Sequence, residues 1–184
     1  MKVIMISGKS GSGKDTFATF LKDELIALNK RVLVIHFADM VKEYAKLYYG
    51  WDGVKDEAGR TLLQQLGTDK VRAKYPTYWG RLVAQFISAT AADWDYVLIP
   101  DLRFLNEYKT VVQYNRNLCS AIRITRYDNN SQPWLNPALT EAQHNHPSET
   151  DLDEWSFDWY IENAGSLEKL QIGAKEFLKL ITKE

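Results

Sequence analysis

Short apolar runs alternate along the chain with longer stretches in which apolar residues recur every three or four positions. The runs Lys2–Ser7, Val32–His36, Tyr96–Pro100, Ser120–Thr125 and Asp158–Glu162 are brief and mostly rich in Val, Ile or Tyr, as in strands covered on both faces. Between the first two, Phe17, Phe20, Leu21, Leu25 and Leu28 fall at helical spacing and predict a helix over Thr16–Asn29. Further helices are predicted over Asp39–Tyr49, Glu107–Arg116 and Leu167–Lys183. Ala58–Asp93 reads as two helices broken at Tyr75-Pro76, because a proline disfavours helical geometry in the residue before it. Asp128–Pro147 carries three prolines, two histidines and little periodicity, which predicts a long loop of the kind that serves as a lid.

This alternation predicts an α/β fold with a five-stranded parallel sheet and helices on both faces. A single domain is expected, with a core over 1–36, 94–126 and 150–184, a helical insertion over about 37–93 and a lid over about 127–149. Composition agrees: 184 residues, 45% hydrophobic and 26% charged, are those of an ordinary globular chain that buries roughly two-thirds of its surface. The formal net charge of −1 gives no global pull towards nucleic acid or anionic membrane, so neither is expected as a partner. No apolar run approaches the roughly 20 residues that span a bilayer, and the amino terminus is not a signal peptide, so a cytoplasmic location is expected. The single cysteine, Cys119, excludes a disulfide framework and reads as a core thiol.

The strongest chemical signal follows the first run: Gly8-Lys9-Ser10-Gly11-Ser12-Gly13-Lys14-Asp15-Thr16. Glycines let consecutive N–H groups curl inward on phosphate oxygens, and the following helix adds the partial charge of its amino terminus. Lys14 brings a full charge to the β- and γ-phosphates. This is a P-loop cradle, and it marks Gly8, Ser10, Gly11, Ser12, Gly13, Lys14, Asp15 and Thr16 as ATP-binding positions. The Ser or Thr that usually follows the lysine is replaced by Asp15, with Thr16 about 100° further round the helix. Asp15 either holds Mg²⁺, directly or through water, or touches the acceptor; both readings stay open. The third strand ends in Asp101, expected beside the cradle as a second Mg²⁺ ligand, with the forked guanidinium of Arg103 two residues on. Arg126, after the fourth strand, is placed to reach phosphates from the start of the lid.

Several segments resemble, in order, the deoxynucleoside monophosphate kinases of the bacteriophage type. They are the cradle with Asp15-Thr16 after the lysine, Phe37-Ala38-Asp39-Met40-Val41-Lys42, Leu62–Asp69 with Trp79, Asp101–Glu107 (Leu105 standing where proline is expected), His146-Pro147-Ser148-Glu149-Thr150 and Ile161–Leu167. The resemblance implies a nucleoside monophosphate kinase fold and Mg²⁺-dependent transfer from ATP to a deoxynucleoside monophosphate, as in dNTP precursor synthesis. It places Asp39, Lys42, Arg60, Arg72, Trp79, Arg81 and Arg103 in the acceptor region, and Asn163 and Gly165 near the donor's adenine. Lys14, Arg103, Asp101 and Arg126 are the expected catalytic group. The chemistry fits these cations, because phosphoryl transfer is catalysed mostly by positioning and charge neutralisation. Another small phosphorylated acceptor of the phosphomevalonate or dephospho-coenzyme A type is the alternative, and a non-kinase ATP-binding switch is the rival from another class. A homodimer is left open.

Overall fold

The computed structural model describes residues 1–115 and 118–182. Five strands form one parallel sheet in the order β2-β3-β1-β4-β5, with β1 Lys2–Ser7, β2 Val32–Val34, β3 Tyr96–Leu102, β4 Cys119–Arg126 and β5 Trp159–Asn163. Period-two alternation sorts β1 onto two cores. Ile4 and Ile6 pack with Phe17, Leu21 and Leu25 of α1 (Lys14–Ala27) and with Phe177 of α8 (Leu167–Thr182). Val3 and Met5 pack on the other face with Val83 and Ile87 of α4 (Tyr78–Ala89) and Val111 of α5 (Leu105–Asn115). Burial on both faces is why these strands read as unbroken apolar runs.

The remaining helices are α2 (Ala38–Tyr49), α3 (Glu57–Gln64), α6 (Glu141–His144) and α7 (Pro147–Thr150). A third cluster, Val41, Ala45, Leu66 and Trp79, joins α2 and α4 to a π-helical segment over Gln65–Arg72 that continues α3. Tyr75-Pro76 is the expected break before α4. The π segment is not visible in the periodicity; Trp79 donates its indole N–H to the Gly67 carbonyl at 2.9 Å, a contact from outside the segment into its widened turn. The second half of α4 lies under the sheet, so this part of the expected insertion shares the sheet's own core.

Several boundaries move for identifiable reasons. α1 begins at Lys14 rather than Thr16, because Lys14 and Asp15 carry no apolar signal yet form its first turn, behind Gly13 at φ 99°. β2 stops at Val34 because Phe37 and Ala38 turn their N–H groups onto Asp101, each at 2.9 Å, and draw the chain out of the sheet. β3 runs on past Asp101 to Leu102, and β4 and β5 run on through Arg126 and Asn163, so the last two end strands rather than follow them. The expected loop over 128–147 carries α6, opened by a Thr140–Gln143 capping box. The expected helix ends at Arg116 and Lys183 lie outside the described residues. Cys119 is half-buried rather than fully enclosed, and burial pushes its thiol up to about 11, which leaves it protonated and inert. Among the described residues, no helix is long and apolar enough to cross a membrane.

Candidate active site

The cradle curls off the carboxyl end of the central strand β1, where an open parallel sheet gathers its ligands. Its shape depends on glycine. Gly8 has φ +148°, and a Cβ there would lie 2.4 Å from the Ile124 carbonyl oxygen and 2.5 Å from Ser12 Oγ. Lys14 Nζ donates to the carbonyls of Gly8 (2.8 Å) and Lys9 (2.9 Å), folded back under the loop. Burial, helped by the nearby Arg103 charge, pushes the Lys14 ammonium down to about 7. A buried cation short of negative charge is primed to gain from a polyphosphate.

Two cavities flank the cradle. One, of about 390 Å³, is lined by Gly11, Gly13, Lys14, Asp15, Thr16, Arg126, Asn163 and Gly165, so most of the residues expected at ATP meet in one place. Gly8 and Ser12 lie beneath the loop, and Ser10 faces the second cavity. Asn163, buried, donates to the Ser12 carbonyl at 2.9 Å and so braces the cradle from β5. The Arg126 guanidinium stacks 4.2 Å over the Trp134 ring and donates to the Gly11 carbonyl at 3.3 Å. Trp134 thus ties the 128–147 segment to the loop on this side.

The second cavity, of about 250 Å³, has apolar walls from Phe37, Val41, Leu63, Trp79 and Phe104, and carries Lys42, Lys55, Arg60, Arg72 and Arg103. The expected acceptor residues divide here. Lys42, Arg60, Arg72, Trp79 and Arg103 line it, whereas Asp39 and Arg81 do not. Arg81 sits on an exposed part of α4. Asp39 instead binds Lys42 (2.9 Å) and accepts the His36 N–H (2.9 Å). Trp79 is 1% exposed and packs against Tyr44 and Tyr78, so it offers a cavity floor rather than a free ring for stacking. Arg72 lines the cavity with its fork already occupied: Nη2 donates to Glu107 Oε1 (2.6 Å) and Nη1 to Asn106 Oδ1 (3.2 Å), with the guanidinium 3.9 Å over Phe104. The side chains of Arg60 and Lys55, by contrast, make no hydrogen bond or ion pair among the described residues, which leaves them available to an anionic ligand.

Glu107 is a centre that the sequence pattern did not single out. It is 2% exposed, and besides Arg72 it accepts the backbone N–H groups of Arg103 (3.0 Å) and Phe104 (3.1 Å), fixing the chain that presents Arg103. Burial pushes its carboxyl up to about 6, against the opposing pull of Arg72. Glu107→Ala leaves the Arg72 charge buried and two N–H groups unsatisfied, so a loss of about 3–5 kcal/mol is expected in denaturant unfolding. Wild-type stability from this group is expected to fall as pH rises from the ordinary glutamate range, near 4.5, through about 6, since the folded state holds the proton more tightly there.

On the cradle side of the second cavity, Asp101, Arg103, Ser10 and Glu149 come together. Both Asp101 oxygens accept the first N–H groups of α2, and burial raises its carboxyl despite the nearby His36 and Arg103 charges. It therefore anchors α2 to the strand beside the cradle. His36 was also missed, although a polar residue ending an apolar run at the ligand end of a sheet was a usable signal. Its Nε2 lies 3.1 Å from Asp15 Oδ1 and its Nδ1 3.3 Å from Asp39 Oδ2; these carboxylates raise the imidazole to about 9. His36 thus holds Asp15, and the chain Asp15–His36–Asp39–Lys42 links the cradle to the second cavity. Among the described residues no group of three or more His, Cys, Asp or Glu side chains is arranged to hold a metal. The oxygens of Asp15, Thr16 and Asp101 do suit Mg²⁺ that arrives on phosphate and keeps most of its water, which is the habit of that ion.

No protein-family profile and no curated protein sequence matches the chain. Solved structures do. The chain is similar to a Mycobacterium tuberculosis APS kinase in complex with AMPPNP and APS, with 11% identity, TM-score 0.53, and coverage of 98% of this chain and 97% of that one. It is also similar to an Acinetobacter baumannii shikimate kinase in complex with shikimate (12% identity, TM-score 0.51, 100% and 94% covered) and to a Janibacter sugar kinase (15% identity, TM-score 0.56, 97% and 95% covered). With its parallel five-stranded sheet and the cradle after its central strand, the chain has the α/β P-loop NTPase fold, in the form built like a nucleoside monophosphate kinase.

Proposed function

We propose that this protein is an ATP-dependent phosphotransferase that passes the γ-phosphate to a small phosphorylated acceptor, with a deoxynucleoside monophosphate as the first choice. The observation that carries the reading is that the phosphate cradle, through Ser10, also borders a second, cation-rimmed apolar cavity, which Arg103 lines close enough to the cradle for its charge to act on Lys14. A nucleotide switch has no use for the second cavity. Apolar walls with Gln64 and Gln143 amides among them suit a nucleobase, and Arg60, Lys55 and Lys42 suit its phosphate. Gly11 through Thr16, with Arg126, Asn163 and Gly165, take the donor. Mg²⁺ enters on the ATP, near Asp15, Thr16 and Asp101, and supplies neutralisation of the transferring charge. No general base is needed, because a monophosphate is already an anionic nucleophile. The place for such an enzyme is the cytoplasm.

A second reading, a different small anionic acceptor on the same scaffold, is favoured by the similar solved structures, whose acceptors include APS and shikimate. One experiment separates the two. Purified protein with Mg·ATP and each deoxynucleoside monophosphate, then each ribose counterpart, is followed for ADP and diphosphate together. Stoichiometric diphosphate is the expected result. ADP without diphosphate supports an ATPase or switch, and no turnover with any nucleotide moves the acceptor outside the nucleotides.

A further inference from the structure

The lid returns to the core through the His146-Pro147-Ser148-Glu149-Thr150 segment, which is fastened to the cradle at several points. The His146 ring accepts the Ser148 N–H at 3.2 Å and so opens α7. Lys9 Nζ donates to the Glu149 carbonyl at 2.6 Å and to Asp153 at 2.5 Å, and Arg123 holds Asp153 from the other side at 2.8 Å. These contacts aim one side chain. The Glu149 carboxylate, 8% exposed, accepts the Ser10 N–H through Oε2 at 2.8 Å and Arg103 Nη1 through Oε1.

Both donors are of the type a phosphate oxygen uses: a backbone amide of the phosphate loop, and a guanidinium beside it. A carboxylate offers the same acceptor-only edge of two anionic oxygens. Ser10 faces the acceptor cavity, whereas Gly11 and Gly13 to Thr16 border the donor cavity, so the Ser10–Arg103 pair lies on the side towards which a donor's terminal phosphate must point. Two anions cannot share that pair without repulsion.

We propose that Glu149 stands in for the donor's terminal phosphate: it occupies Ser10 N–H and Arg103 until a γ-phosphate displaces it, so a triphosphate, but not a diphosphate, frees Arg103 and loosens the 146–153 segment. This rests on the cradle being a nucleotide site. Arg103 is then withheld from the acceptor cavity until ATP is in place, which couples donor arrival to completion of the transfer site.

The test is equilibrium binding of AMPPNP and of ADP, each with Mg²⁺, to wild type and to Glu149→Gln, whose amide keeps the shape and loses the charge. The expected result is AMPPNP binding about 10-fold tighter in Glu149→Gln with ADP binding unchanged, as fits one charge-assisted hydrogen bond removed from competition. An unchanged or lowered preference for AMPPNP over ADP overturns the inference and leaves the kinase reading standing. If neither nucleotide binds either protein, the cradle reading falls and the inference with it. Should Glu149→Gln fail to fold, hydrogen exchange of wild type decides: faster exchange over 146–153 with AMPPNP than with ADP supports the inference, and equal exchange overturns it.

Discussion

Replacing Lys14 with methionine is expected to lower phosphoryl transfer by at least about 10²–10³-fold, the effect of removing a preorganised charge from the site where negative charge develops. The fold is expected to survive. Lys14 is 6% exposed, and among the described residues its Nζ hydrogen-bonds only to the Gly8 and Lys9 carbonyls, so its charge is held at a cost in the folded chain. The ammonium sits near 7 in the folded protein against 10.5 in an ordinary lysine. Between those values the unfolded chain binds the proton more tightly, so wild-type stability from this group rises with pH through that window. Methionine fills the stem's place without the charge. Melts of the variant should therefore compare best with wild type near pH 7, and the comparison should shift towards wild type as pH approaches 10.5. A folded Lys14→Met protein that turns over normally removes the cradle from the mechanism.

The same residue shows what a sequence can disclose. Gly8, Gly13 and Lys14 announce a phosphate loop because its chemistry is local: nine consecutive residues carry the curl, the amides and the charge. The central strands β1 and β3 were legible for a related reason, since two covered faces leave few polar positions to blur an apolar run. What stayed hidden depends on residues that meet only in three dimensions. Asp101 reads as an acid on a strand beside the cradle, and its second task, to accept N–H groups at the start of α2 63 and 64 residues earlier, shows only in the fold. Arg72 reads as a cation for the acceptor, and Glu107, 35 residues away, engages its fork. The division of labour among cations, with Arg60 and Lys55 available and Arg72 engaged, follows from pairing that no spacing rule contains. Glu149 was visible as part of a motif, whereas its approach to Ser10, 139 residues earlier, was not.

Arg103→Ala is the second change with a large expected effect, and it acts on a different quantity. The guanidinium lines the second cavity close enough to the cradle for its charge to act on Lys14, its backbone fixed by Glu107 and its fork reaching Glu149 and the Ser148 carbonyl (2.9 Å). A planar fork between two polyanions neutralises charge most where charge spreads most, in the transferring phosphoryl group. On the proposed reading, kcat should fall about 10²–10³-fold, within the range for loss of one such donor. ATP affinity should change little, because the guanidinium's missing hold on the γ-phosphate is offset by the Glu149 ion pair that no longer has to be broken. Single-turnover kinetics with saturating ATP, set beside equilibrium binding of AMPPNP, separates these quantities. Arg103→Lys keeps the charge but not the fork and should restore only part of the rate. A weakened AMPPNP affinity with an intact single-turnover rate would place Arg103 in donor binding alone, and the transfer would then need another cation, with Lys42 and Arg60 the candidates already lining the second cavity.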